Sequence, residues 1–285
     1  MKVAERAVET EPSPVDVTIE AASPFRLLDA AEVWRYRELL YFLVWRDVKL
    51  RFKQTALGVA WIALRPLLSV AIFVVVFGRL ARMPSDGVPY ATFTMIAIVP
   101  WTYFASALGA ATQSLVSNPN LITKVYVPRV VLPLASVVSN LVEVAITLVL
   151  TLAIILWDGV VPAVTALWAV PALLLLTSVF ALGCGLWLGA LNVRFRDVGN
   201  AVPFLLQVWM YATPVVYPLS LVPERWRWVV AINPMAAIVD ALRSAVLGKP
   251  LDAGLLAAAT AVVAVVLVTG LAFFRSVERS FADTV

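Results

Sequence analysis

The chain has 285 residues, of which 62% are hydrophobic and 14% charged, whereas a soluble domain carries about 25% charged residues. No soluble globule of this length hides that much apolar surface, so the composition requires a bilayer as solvent. There is no histidine and one cysteine, Cys184, which excludes a Ser-His-Asp or Cys-His catalytic set, an internal disulfide and a CxxC metal site. The net charge of +4 comes without a basic, aromatic-interleaved domain for nucleic acid, and basic residues beside apolar runs read as topology signals.

Residues 1–29 are polar, carry Pro12, Pro14 and Pro24, and lack the apolar core of a signal peptide. They read as a disordered cytoplasmic tail. Residues 30–54 hold an apolar stretch too short to span, Leu39 to Trp45, with Arg46, Lys49, Arg51 and Lys53 after it and aromatic bulk throughout. This pattern predicts an amphipathic helix in the membrane interface, its basic side chains reaching for headgroups. Six apolar segments follow, near 56–80, 90–112, 130–156, 162–191, 201–219 and 253–274. The fold class is therefore an all-α integral membrane protein with six transmembrane helices over 55–275 and a cytoplasmic tail at 276–285. Of the 22 Lys and Arg residues, 16 fall on one side of the bilayer and 6 on the other if both termini are cytoplasmic, which favours that orientation.

Between the last two segments, 220–249 breaks the apolar pattern with Arg225, Arg227, Asp240, Arg243 and Lys249. Asn233-Pro234 predicts a helix start, since Asn caps and Pro suits the first helical position. Met235, Ile238, Val239, Leu242 and Val246 then share one stripe, and Gly248 and Pro250 end the helix. The piece is too short to cross and reads as one or two helices at the outer leaflet.

Candidate functional residues are few. Glu143 is a carboxylate inside a span, where charge is costly and often functional. It is either an ion-coupling site or a carboxyl bonded to a neighbouring helix or to Arg65. Arg65 either snorkels to the interface or faces a polar path and meets an anionic phosphate. Trp101, Tyr103, Phe104, Trp209 and Tyr211 cluster near prolines within spans; they either pack or form a surface on which sugar rings stack. Gly185 and Gly189 lie four apart on one helix face and predict close packing with another span. The only Gly-Lys pair, Gly248-Lys249, lacks the rest of a phosphate-binding loop, so ATP hydrolysis is not expected of this chain.

Several stretches, in order, carry a resemblance: WRDVKLRFKQTALGVAWIALRP (45–66), PWTYFASAL (100–108), NPNLITKVYVPR (118–129), LNVRFRDV (191–198), TPVVYPLSLVPERWRW (213–228) and INPMAAIVDALR (232–243). Together they resemble the permeases of bacterial type-2 ABC exporters, specifically the group that exports polysaccharides such as O-antigen, capsule, galactan or teichoic acid. The resemblance covers roughly 35–250. It implies a permease subunit moving a lipid-linked polysaccharide across the bacterial cytoplasmic membrane, with both termini cytoplasmic. It implies a coupling helix within 113–128, with Pro119, Leu121, Lys124 and Tyr126 seated on an ATPase. The basic set Arg46, Lys49, Arg51 and Lys53 falls on its interface helix. Arg65 and the five aromatics fall along its substrate path, and Trp226, Trp228, Asn233 and Pro234 in its paired outer gate helices. The partners it implies are two ABC ATPase subunits, which carry the ATP and Mg, a second copy of this chain, the glycan and membrane lipid. A drug or lipid permease of the same type, and an ion-coupled secondary transporter, are the alternatives.

Overall fold

The computed structural model describes residues 30–53, 60–124 and 127–278. The expected tail at 1–29, the junction at 54–59 and the end of the chain after 278 lie outside the described residues. Among the described residues, all regular secondary structure is helical. Helix α1 (Ala30–Arg35) meets α2 (Arg37–Phe52) at Tyr36. The first expected span is α3 (Ala60–Phe73), continued as a π-helical stretch over Val74–Leu80. The second is α4 (Tyr90–Gln113). A short helix, α5 (Pro119–Lys124), occupies the connector.

The third span is two helices, α6 (Val131–Ser139) and α7 (Leu141–Trp157). They part at Asn140, whose side-chain amide donates to the Ser136 carbonyl at 2.6 Å and competes with the helical ladder there. Helix α8 (Ala166–Arg194) is the longest, and α12 (Ala253–Val277) closes the bundle. Among the described residues, five stretches are long and apolar enough to cross a membrane, Ala60–Leu80, Tyr90–Gln113, Val131–Trp157, Ala166–Arg194 and Ala253–Val277, and the bent pair Glu224–Ile232 with Pro234–Val246 would make a sixth if taken as one span. The expected fifth span is shorter than the sequence suggests. Helix α9 (Asp197–Ala212) has 16 residues, about 24 Å at 1.5 Å per residue, against a hydrocarbon core of about 30 Å.

Helix α4 lies at the centre, with 72% of its apolar window enclosed, against 17% for α3 and its extension and 22% for α12. The close approach of α8 explains this. A Cβ on Gly185 would come within 2.6 Å of the Ala111 Cβ on α4, and one on Gly189 within 3.3 Å of the Ala111 carbonyl. Small residues at these positions let the two backbones meet, as expected from their spacing. On another face, Gly183 of α8 meets Gly270 of α12, where a Cβ on Gly270 would sit 2.6 Å from the Gly183 carbonyl. Cys184, between them, is part-buried against the main core.

A second, smaller core joins the short helices to the bundle. Leu43 of α2 packs with Leu115, Ile122, Val130, Val131, Leu132, Leu186, Leu271 and Phe274. Helix α2 is less amphipathic than its composition suggests. Leu39, Leu40, Leu43 and Val44 turn toward this core, while Tyr41, Phe42 and Trp45 are exposed on the other side. Apolar residues therefore occupy both faces, one covered by protein and one open.

After α9, the chain makes two short 3-10 turns, Leu219–Leu221 and Glu224–Trp226, and then α10 (Arg227–Ile232) and α11 (Pro234–Val246). The last two are bent by 104° at Asn233. The expected stripe of α11 holds: Met235, Ile238, Val239, Leu242 and Val246 are all buried.

Candidate substrate cavity and coupling surface

A cavity of about 430 Å³ opens where α2, α3, α4, the α6–α7 break and α9 converge. Its wall includes Arg51, Trp61, Arg65, Trp101, Tyr103 and Glu143. The sequence separates these residues by almost a hundred positions, and the helix break at Asn140 brings them together. Arg51 Nη1 donates to Asn140 Oδ1 at 2.9 Å and to Glu143 Oε1 at 2.6 Å. The partner of Glu143 is therefore Arg51 of α2 rather than Arg65. Arg65 lines the same cavity and has no hydrogen bond or ion pair among the described residues. Two guanidinium groups against one carboxylate leave the cavity one positive charge.

The other basic residues of this segment divide. Arg46 pairs with its neighbour Asp47 at 2.9 Å. Lys49 sits over the Trp45 ring, 5.2 Å from its centroid, and Lys53 is exposed at the end of α2. Arg51 points inward, so the four do not form one headgroup-facing set.

The aromatic candidates also divide. Phe104 is fully enclosed, stacked on Phe180 at 5.0 Å and set edge-on to Trp209 at 5.1 Å. It packs the core and touches no open surface of this chain, a correction to its placement on a path. The reason is its position on α4, the most enclosed helix. Trp101 joins the cluster, 5.8 Å from Phe104 and 6.5 Å from Trp209, and reaches the cavity at its margin. Tyr103 does likewise, with its hydroxyl 2.6 Å from Ser178 Oγ. Trp209 is tied down, its Nε1 donating to Asn233 Oδ1 at 3.1 Å. Tyr211 is half-exposed, away from the cluster. Phe180 was not foreseen, because a single Phe in an apolar run carries no distinguishing signal.

At the α10–α11 bend, Asn233 caps α11: its Oδ1 accepts from the Met235 N–H at 3.2 Å, with Pro234 buried behind it. Its amide donates to Thr213 Oγ1 at 3.0 Å. Trp226 and Trp228 stand in the open, each at least half-exposed. The residue missed here is Arg243. It is 5% exposed, and its guanidinium donates to the carbonyls of Phe93 (3.2 Å), Pro214 (2.6 Å) and Val215 (2.6 Å) while lying 3.6 Å over the Phe93 ring. A signal existed: Arg243 follows Val239 by four, so it falls on the buried stripe, where a charge requires partners.

At the other end of α4, about 36 Å away by helix length, α5 begins six residues past the helix end. Ile122 is its buried anchor and Leu121 packs partly against the second core, while Pro119 is exposed. Lys124 ends α5, and Tyr126 lies outside the described residues. A polar node ties this region to the α8–α9 corner. Asn192 donates to the Thr112 carbonyl at 3.1 Å and to Gln113 Oε1 at 3.2 Å, and it accepts from the Gly199 N–H at 2.8 Å. Gly199 fits because its absent Cβ leaves room for Asn192 and Gln113.

These features define a polytopic α-helical membrane protein with a polar cavity at a helix junction and a short helix presented at one end. The chain belongs to the ABC-2 type transporter family, whose model matches residues 38–247. It is 32% identical over 260 residues to an O-antigen export system permease protein, RfbA, of Myxococcus xanthus, covering 89% of this chain and 98% of that protein. An RfbA of Klebsiella pneumoniae is 26% identical over 86% of this chain and 94% of its own length. The polysialic acid transport protein KpsM of Escherichia coli is 23% identical over 82% and 92%.

Proposed function

We propose that this chain is the permease subunit of an exporter that carries a lipid-linked polysaccharide across the cytoplasmic membrane, driven by a separate ATPase. Family membership supports the transport role, and the names of the relatives supply the substrate class. The observation that carries the reading is the cavity, where an uncompensated Arg65 stands beside Trp61, Trp101 and Tyr103. A lipid-linked glycan presents an anionic phosphate to such a guanidinium, and its sugar faces suit aromatic rings. Among the described residues Arg65 has no hydrogen bond or ion pair, so its charge is available for that contact.

In this reading both termini are cytoplasmic, an orientation that the excess of Lys and Arg on that side favours. The α5 end then faces the cytoplasm, and the α10–α11 end faces outward. Two ATPase subunits, holding ATP and Mg, seat on the connector 113–128 through Pro119, Leu121, Lys124 and Tyr126. Because Ile122 shares a core with Leu43 of α2, movement of α5 carries the interface helix with it. Asn192 passes the same movement to the start of α9. A second copy of the chain completes the path, and Trp226 and Trp228 stand at its outer exit. Glu143 is committed to Arg51, which leaves an ion-coupled mechanism without a free buried carboxylate inside the α6–α7 span.

Affinity purification of the tagged chain from its own host tests this. A stoichiometric ATPase partner is expected, with turnover that responds to lipid-linked glycan in membrane extract. A lone protein, or a partner ATPase indifferent to glycan lipids, contradicts the reading.

A further inference from the structure

The two helices at the 104° bend are held very differently. All of α11 from Pro234 to Val239 is buried, and so are Ala241, Leu242, Arg243, Ala245 and Val246. In α10, only Val230 is buried. Beyond packing, α11 is fastened by polar contacts. Arg243 bonds one carbonyl at the start of α4 and two in the link that leaves α9. The Tyr90 hydroxyl of α4 bonds a third carbonyl of that link, at Val216. Asn233 reaches Thr213 in the same link, and Thr165, just before α8, bonds the Ala245 carbonyl at 2.6 Å.

The carbonyls of 214 and 215 lie in the link beyond the end of α9, outside any helical ladder, so once buried they need donors from elsewhere. Arginine suits the place because its planar fork serves three acceptors at once and its face lies on an aromatic ring, which an ammonium cannot do together. By contrast, the polar contact of α10 is an exposed Arg227–Glu224 pair at 3.9 Å.

We propose that Arg243 is a positioning residue that fuses α11 and the exit of α9 to α4, so that α10 alone, hinged at Asn233-Pro234, is the moving element of the outer gate. The bundle around α11 stays fixed while Trp226 and Trp228 swing with α10. This rests on the export reading for its purpose, but its geometry can be tested without substrate or ATPase.

The test is hydrogen–deuterium exchange on the full chain in lipid nanodiscs. Amides of 227–232 are expected to exchange at least ~10-fold faster than those of 236–246, since local opening follows the density of buried contacts. In Arg243→Lys, 213–216 and 236–246 become faster and 227–232 do not change. In membranes, the same variant keeps ATP turnover by the complex but exports less polysaccharide per ATP, a split that simple misfolding does not produce. If Arg243→Lys does not accumulate, Tyr90→Phe decides, because it removes one bond of the link and should loosen 215–217 alone. Equal exchange of α10 and α11 in the native chain overturns the proposal. So does full protection of α11 and the link in both variants. Loss of the export reading with this exchange pattern intact refutes the function and leaves the fixed-and-moving division standing.

Discussion

At the α10–α11 end, the link after α9 is held by directional bonds: Arg243 and Tyr90 donate to its backbone carbonyls, and Asn233 donates to the Thr213 hydroxyl. At the α2–α5 end, the short helices pack on an apolar cluster around Leu43, Ile122 and Phe274, with Arg51 of α2 as a polar tether to Asn140 and Glu143. Hydrogen bonds to fixed carbonyls are directional and fail when the geometry shifts. Apolar contacts are non-directional and tolerate sliding. The link and α11 are therefore held in register, with α10 left out of that frame. The contacts of α2 and α5 tolerate sliding.

The contrast predicts a graded series of losses. Arg243→Met should cost the most, about 3–5 kcal/mol, because several buried carbonyls lose a charged donor at once. Thermal unfolding in nanodiscs reads this, and a loss under about 1 kcal/mol would remove the rivet from the account. Leu43→Ala should cost about 2–4 kcal/mol of docking energy between α2 and α6. Limited proteolysis should then cut after α2 with the bundle intact; unchanged cleavage would mean that the apolar core does not hold the helix.

Gly185→Ala should cost about 1–3 kcal/mol, since the new methyl meets Ala111 and two backbones must part. Pairing it with Ala111→Gly should recover most of the loss, and failure to recover would place the clash elsewhere. The smallest effect is that of Glu143→Gln. Its pair with Arg51 is a quarter to a third exposed, 26% and 30% for the two side chains, so about 1 kcal/mol or less is expected. Its signature is functional: Arg51 is released beside Arg65, and binding of an anionic lipid to purified protein should strengthen. Weaker binding would show that Glu143 organises the cavity rather than restraining it.

The readable part of the molecule was that set by local pattern. Apolar runs gave the spans, Asn233-Pro234 gave the start of α11, and the 235–246 stripe gave its buried face. The spacing of Gly185 and Gly189 gave the α4–α8 contact. What stayed hidden depends on distant partners. Nothing in residues 45–53 marks Arg51 as the one that turns inward toward a carboxylate 92 positions away. Nothing around Phe104 marks it as enclosed, because enclosure follows from α4 lying at the centre. The short α9 was obscured by the apolar segment 213–218, which continues its hydropathy but is a bonded link rather than helix. Arg243 was legible in principle, as a charge on an apolar stripe, but its carbonyl partners belong to α4 and to that link.

The most direct test is made in the host cell. The gene is replaced by an inactive copy, and polysaccharide is measured both at the cell surface and on its lipid carrier inside. Loss of the surface polymer is expected, with accumulation of the lipid-linked form in the cytoplasmic membrane and recovery of both by the native chain but not by Arg65→Ala. Normal surface polymer with no internal accumulation would contradict it.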